Sequence, residues 1–114
     1  MKSTEVVRSL AALAHESRLA VFRILVKRGP KGFTPGELSA QLDVSASTLS
    51  FHLKELQSAG LVSVQRESRF LFYRANFERI EELLDYLTDQ CCAHAEGISD
   101  DECSPVIVPR KQRA

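Results

Sequence analysis

The sequence has no apolar run near the ~20 residues that cross a bilayer, so no transmembrane helix is expected. It also lacks a continuous apolar stretch at its start. Lys2, Glu5 and Arg8 interrupt Met1–Leu10, which does not fit a secretory signal, and a cytoplasmic location is the expectation. Cysteine is scarce: three residues in all, none before Cys91. So small and odd a number argues against a disulfide framework, and in a reducing compartment such residues stay thiols or act as ligands. No internal repeat is present. Catalytic groups are equally thin. Cys91 or Cys92 with His94 is the one local pairing of nucleophile and base, with no evident orienting group or oxyanion site, so an enzyme is not expected.

Net charge is missing too, because 15 Lys/Arg balance 15 Asp/Glu. The balance hides an asymmetry. Residues 1–76 hold 11 basic and 6 acidic side chains, a net +5, whereas residues 77–114 hold 4 and 9, a net −5. The first part is suited to a polyanion; the second would be repelled by one unless it faced away.

What is present is one small domain's worth of helical periodicity. Thr4–Ala14 and Glu16–Arg28 each show an apolar stripe, and Gly29-Pro30 ends the second. Thr34-Pro-Gly-Glu37 predicts a capped helix start, with Leu38 and Leu42 buried behind it. After a turn at Asp43-Val44, Ser45 caps a helix that carries Leu49, Leu53 and Leu56 and ends at Gly60. The period then switches. Leu61–Glu67 and Phe70–Ala75 read as two strands of a hairpin, although the turn lacks an Asn-Gly or Asp-Gly signal. Asn76 caps a last helix over Phe77–Cys91, with Ile80, Leu83, Leu84, Leu87 and Cys91 in one stripe. The expected organisation is a folded unit over residues 1–95 and a cysteine-containing, flexible tail over 96–114.

A short capped helix, a turn, a second helix and a basic hairpin make a winged helix-turn-helix, mainly α with a β-hairpin wing. Away from its leucine stripe the second helix offers Ser47, Thr48, Ser50, His52, Lys54 and Gln57, besides its cap Ser45. Hydroxyls, an amide and cations suit phosphate oxygens and base edges, so double-stranded DNA is the expected partner. Ser47, Thr48 and Ser50 lie in the turn that enters the groove first. Phe51 lies off the stripe, suited either to a thymine methyl or to packing. Arg66 and Arg69 flank the hairpin tip and suit the neighbouring backbone or minor groove. A winged helix used only for protein contact is the alternative class.

Three segments resemble the ArsR/SmtB family of metal-responsive repressors. Leu13-Ala-His-Glu-Ser-Arg-Leu-Ala-Val-Phe-Arg-Ile-Leu25 resembles the family's second helix. Ser47-Thr-Leu-Ser-Phe-His-Leu-Lys-Glu-Leu-Gln-Ser-Ala-Gly-Leu-Val62 resembles its recognition helix, and Arg66–Asn76 its wing. The resemblance covers about residues 4–91. It implies a homodimer joined through the first and last helices, binding to operator DNA near its own promoter, and release when a metal or metalloid binds. Ser68 departs from the glycine common at the family's wing tip.

The resemblance also frames what is sensed. The family's prototype arsenic site is a Cys-x-Cys pair before the recognition helix; here that stretch is Leu42-Asp-Val-Ser45, without cysteine. Its zinc sites use paired Asp/His ligands on the last helix; here Asp85 and Asp89 have no histidine before His94. Cys91, Cys92 and Cys103 instead cluster near the C-terminus, which suggests a soft-ion site. Trivalent arsenic or antimony takes three thiolates in a pyramid, and the spacing resembles an alternative arsenic site within the family. Adjacent helical residues diverge by about 100°, so Cys91 and Cys92 share an ion only if the helix end frays or their side chains converge. Arsenic(III) is therefore the expected inducer. A methylated arsenical on two thiolates, zinc, and redox control are the alternatives.

Overall fold

The computed structural model describes residues 1–94. The chain runs through α1 (Ser3–Leu13), α2 (Glu16–Arg28), a 3-10 turn at Gly29–Lys31, α3 (Pro35–Leu42), α4 (Ala46–Ser58), β1 (Val62–Glu67), β2 (Phe70–Ala75) and α5 (Phe77–Leu87). It is a winged helix-turn-helix, mainly α with a two-stranded wing.

Local chemistry sets the helix starts. His15 caps α2, its Nδ1 accepting the Ser17 N–H at 3.2 Å. Thr34 and Glu37 close a full capping box on α3: Thr34 Oγ1 accepts the Glu37 N–H at 3.3 Å, and Glu37 Oε1 accepts the Thr34 N–H at 3.0 Å. Those hydrogen bonds, backbone first and then hydroxyl, hold the Glu37 carboxyl below the usual range. Asp43 ends α3 in the left-handed region (φ 54°), leaving Ser45 to cap α4 by accepting the Thr48 N–H at 3.3 Å.

One apolar cluster holds these helices together. Val21, Leu25, Leu38, Leu49, Leu53, Leu56 and Leu61 are essentially inaccessible. They draw α2, α3 and α4 around the base of the hairpin, with Val62 and Ala75 closing it. The expected burial of Leu38 is seen; Leu42 is half-buried at the edge.

The hairpin pairs Val62 with Ala75 through to Glu67 with Phe70, leaving Ser68-Arg69 as a two-residue loop. Its first strand begins one residue later than expected, because the Leu61 N–H is used by Leu56 O at 3.1 Å. Ser68 takes φ 60°, at the loop position where glycine is ordinarily favoured. A third piece of backbone joins the sheet: Phe33 and Tyr73 exchange N–H···O bonds of 2.9 and 2.8 Å. Gly32 permits this approach, since a Cβ there would lie 2.5 Å from the Tyr73 carbonyl oxygen.

The last helix corrects an expectation. It stops at Leu87, short of Cys91. Thr88 turns its hydroxyl back to Leu84 O at 2.8 Å, and Gln90 and Cys92 adopt positive φ, so the chain turns where the apolar period alone would continue. The expected boundary at residue 95, the tail beyond it and Cys103 lie outside the described residues.

Candidate nucleic-acid interface

Helix α4 sorts its side chains cleanly. Leu49, His52, Leu53, Leu56 and Ala59 face inward. Ser47, Phe51, Lys54 and Ser58, spaced by four, three and four, run along the opposite face, and all are exposed. Thr48, Ser50 and Gln57 flank that line and are exposed too. Ser45 is engaged at the helix start: its hydroxyl donates to Thr48 Oγ1 at 2.9 Å while accepting the Thr48 N–H. The hydroxyl-rich first turn is therefore pre-ordered.

His52 is the exception in the expected set. It is only 5% exposed, with its ring 5.0 Å from that of His15. Burial first, then the charges of His15 and Arg18, push its imidazole below the ordinary histidine range. Its Nδ1 has no hydrogen-bond partner among the described residues. A neutral ring wedged between α4 and the start of α2 is a packing element, and it does not present itself to a ligand. The corresponding physical reason is angular: His52 precedes Leu53 on the helix and falls just inside the edge of the leucine stripe.

At the wing, Arg66 and Arg69 are exposed on either side of Ser68, with Glu67 between them. Alternation along β1 sends Arg66 and Glu67 to opposite faces, so the acid need not oppose the cation.

At the far end of α5 the Cys91 and Cys92 sulfurs lie 3.6 Å apart. The divergence of adjacent helical residues does not apply, because both cysteines follow the helix end and Cys92 has φ 64°. Two thiolates bound at about 2.3 Å with a tetrahedral angle stand about 3.8 Å apart, close to this spacing, but of the two only Cys91 is a thiol here, Cys92 being disulfide-bonded. His94 is exposed nearby in the chain, and no three-residue metal cluster occurs among the described residues.

A model of a helix-turn-helix domain matches residues 13–65, the stretch from the end of α1 through most of β1. A biofilm growth-associated repressor of Agrobacterium fabrum is 36% identical over 85% of this chain and 80% of its own length. An arsenical resistance operon repressor of Bacillus subtilis is 30% identical over 81% of this chain and 84% of its own. The solved structure of HlyU from Vibrio cholerae superposes with a TM-score of 0.60 at 35% identity, covering 75% of this chain and 92% of that one. The chain belongs to the ArsR-type winged helix-turn-helix transcriptional regulators. Such regulators bind DNA and are not enzymes. No helix among the described residues is long and apolar enough to cross a membrane.

Within this ArsR-type frame, the reading from sequence missed a junction at the end of α4. Asn76, recognised as a cap, does more: its Nδ2 donates to Gly60 O at 3.0 Å while its Oδ1 accepts the Arg79 N–H at 3.2 Å. Arg79 then reaches Glu5 of α1, Nη1 to Oε2, at 2.8 Å. This hydrogen bond, with the Arg79 charge, holds the Glu5 carboxyl below its usual range against a smaller opposing effect of burial. Arg8 of α1 also donates to the Ser58 hydroxyl near the end of α4. The recognition helix is thus tied to both terminal helices. The one sequence signal was Gly60, whose positive φ (80°) needs a residue without Cβ.

Proposed function

We propose that the chain is a transcriptional repressor that binds operator DNA as a homodimer and is released by trivalent arsenic held by Cys91, Cys92 and Cys103. The 3.6 Å sulfur pair beyond α5 carries the inducer reading. With the Cys92 disulfide reduced, the pair supplies two of three thiolates on one side of the ion, and Cys103 supplies the third from eleven positions further along. The arsenical repressor among the relatives is in keeping with it. Arsenic(III) supplies a thiophilic centre; the chain's part is to hold deprotonated sulfurs at the right bite. Arsenite is the expected species, with antimonite and methylarsenite as chemical variants. Zinc through the cysteines, His94 and a carboxylate such as Asp101 is the weaker alternative.

The dimer reading rests on unpartnered apolar surface. Val7 and Leu10 of α1, and Leu84, Tyr86 and Leu87 of α5, are exposed although both helices are amphipathic. A second copy covering them would bring two α4 helices to bear on two half-sites. Ser47, Thr48, Ser50 and Gln57 then face base edges, Lys54 and the wing arginines face phosphate, and Ser45 fixes the helix start. Acidic α5 stays away from the DNA.

Ion binding at the end of α5 would favour a dimer geometry in which the two recognition helices no longer match the half-sites. By linkage, DNA weakens ion affinity by the same factor. The test is a fluorescence-anisotropy titration of arsenite, methylarsenite, antimonite and zinc against the DNA-bound protein. Arsenite is expected to release the wild-type protein but not a Cys91/Cys92/Cys103 triple serine variant, which still binds DNA. Release of the triple variant, or release by zinc alone, overturns the assignment. Loss of DNA on peroxide treatment without arsenite would move the reading to redox control by the same thiols.

A further inference from the structure

Phe51 is 55% exposed, and nothing in the core claims it. It occupies the middle of the outward face of α4, four residues after Ser47 and three before Lys54. The inward stripe of Leu49, Leu53 and Leu56 lies on the other side of the helix. Phe51 therefore lies outside the leucine core. Nor does Phe51 belong to the apolar surface of α1 and α5, where the exposed residues are Val7, Leu10, Leu84 and Leu87. Around it on its own helix are hydroxyls, a cation (Lys54) and an anion (Glu55).

An isolated apolar ring in a polar face matches the major groove, where the one apolar feature of a base edge is the thymine C5-methyl group. Phe51 is the sixth residue of the helix Ala46–Ser58, within the N-terminal half that approaches base edges in this class of motif. Its ring also leans on the buried His52, centroids 5.9 Å apart and planes at 60°. That contact limits the ring's freedom before DNA arrives, lowering the ordering cost of a specific contact.

We propose that Phe51 reads a thymine methyl and sets the base preference at one position of each half-site. The inference rests on the DNA-binding reading and adds to it the identity of one recognised base. The contact buries one methyl group per half-site. Burial of a single methyl or methylene corresponds to about a fourfold change in affinity, or about fifteenfold across two half-sites.

The experiment starts from duplexes selected by the full-length protein out of a random pool. In the selected duplex each thymine is replaced in turn by deoxyuridine, which removes only the methyl. Affinity is measured at one fixed salt concentration. One symmetric pair of thymines is expected to give the fifteenfold loss when both are replaced. F51A is expected to bind thymine and uracil duplexes equally, and F51L to restore part of the preference. Equal affinity of the wild-type protein for every uracil duplex overturns the inference while leaving DNA binding intact. Unchanged discrimination in F51A does the same. If no duplex is enriched and binding is independent of salt, the DNA-binding reading itself falls, and the thymine contact with it.

Discussion

Replacing His52 with glutamine is expected to remove a pH dependence from folding stability. The imidazole is 5% exposed, faces His15 at 5.0 Å, and is held below the ordinary histidine range by burial and by the charges of His15 and Arg18. In the unfolded chain the same group titrates near ~6.5. Between that value and the lower folded one, the unfolded chain holds a proton that the folded chain refuses. Unfolding therefore takes up a proton, and stability rises with pH at up to about 1.4 kcal/mol per pH unit. The contribution is complete above pH ~6.5 and is lost as pH falls through the folded value.

Urea denaturation at pH 5, 6, 7 and 8, at one protein concentration, reads this directly. With an m-value of about 1–3 kcal/mol/M, the full slope moves the midpoint by roughly 0.5–1.4 M per pH unit. Wild type is expected to lose midpoint below neutrality, and H52Q to lose measurably less. His15 and His94 are present in both proteins, so the difference between the two curves reports His52 together with its coupling to His15. Glu5 and Glu37 have depressed folded values, so their contributions are present above the usual carboxylate range and vanish only in acid below this window. Parallel curves for the two proteins would refute the placement of a neutral His52 inside the fold.

Two further outcomes follow from the same geometry. Gly60→Ala is expected to lower the melting temperature, because φ 80° costs a residue with a Cβ about 1–2 kcal/mol and the added carbon would sit 2.8 Å from the Arg79 guanidinium. The guanidinium can withdraw only by disturbing its bond to Glu5, so an unchanged melting temperature in thermal denaturation would discredit the junction. Alanine at Arg66 or Arg69 is expected to weaken binding to all duplexes alike and to reduce the slope of log affinity against log salt by about one for each phosphate no longer neutralised. An effect confined to particular base sequences would mean that the wing reads bases.

Legibility followed the range of the interactions involved. Caps at Thr34, Ser45 and Asn76 act over three residues, and each was readable because the capping atom and the group it satisfies are close in sequence. The leucine stripe of α4 was readable for the same reason. His52 was not, because it sits at the stripe's edge and its burial depends on His15, thirty-seven positions away. The end of α5 was misjudged because Cys91 continues the apolar period, whereas the turn is made by Thr88, Gln90 and Cys92, none of them a glycine. The Phe33–Tyr73 bridge depends on Gly32 meeting a distant carbonyl, which no local pattern announces.

The position of α5 bears on how the proposed cysteine site would influence a helix distant from it in sequence. At its start, Asn76 is bonded to Gly60 and Leu61, and Arg79 lies against Gly60 while paired with Glu5. Its other end leads into Cys91 and Cys92. Eleven residues at 1.5 Å each make a lever about 16 Å long. A tilt of about 10° moves one end of such a lever by about 3 Å relative to the other, comparable to half a helical turn. At the Asn76 end that motion must be taken up by the bonds to Gly60, by the ion pair to α1, or by a shift of α4 as a unit. The ion pair is partly exposed and yields most readily, whereas α4 is held by Leu49, Leu53 and Leu56 in the core and by the Arg8–Ser58 bond. The Glu5–Arg79 pair is therefore the first contact to respond to strain introduced beyond Leu87, and α4 moves only with the core it belongs to.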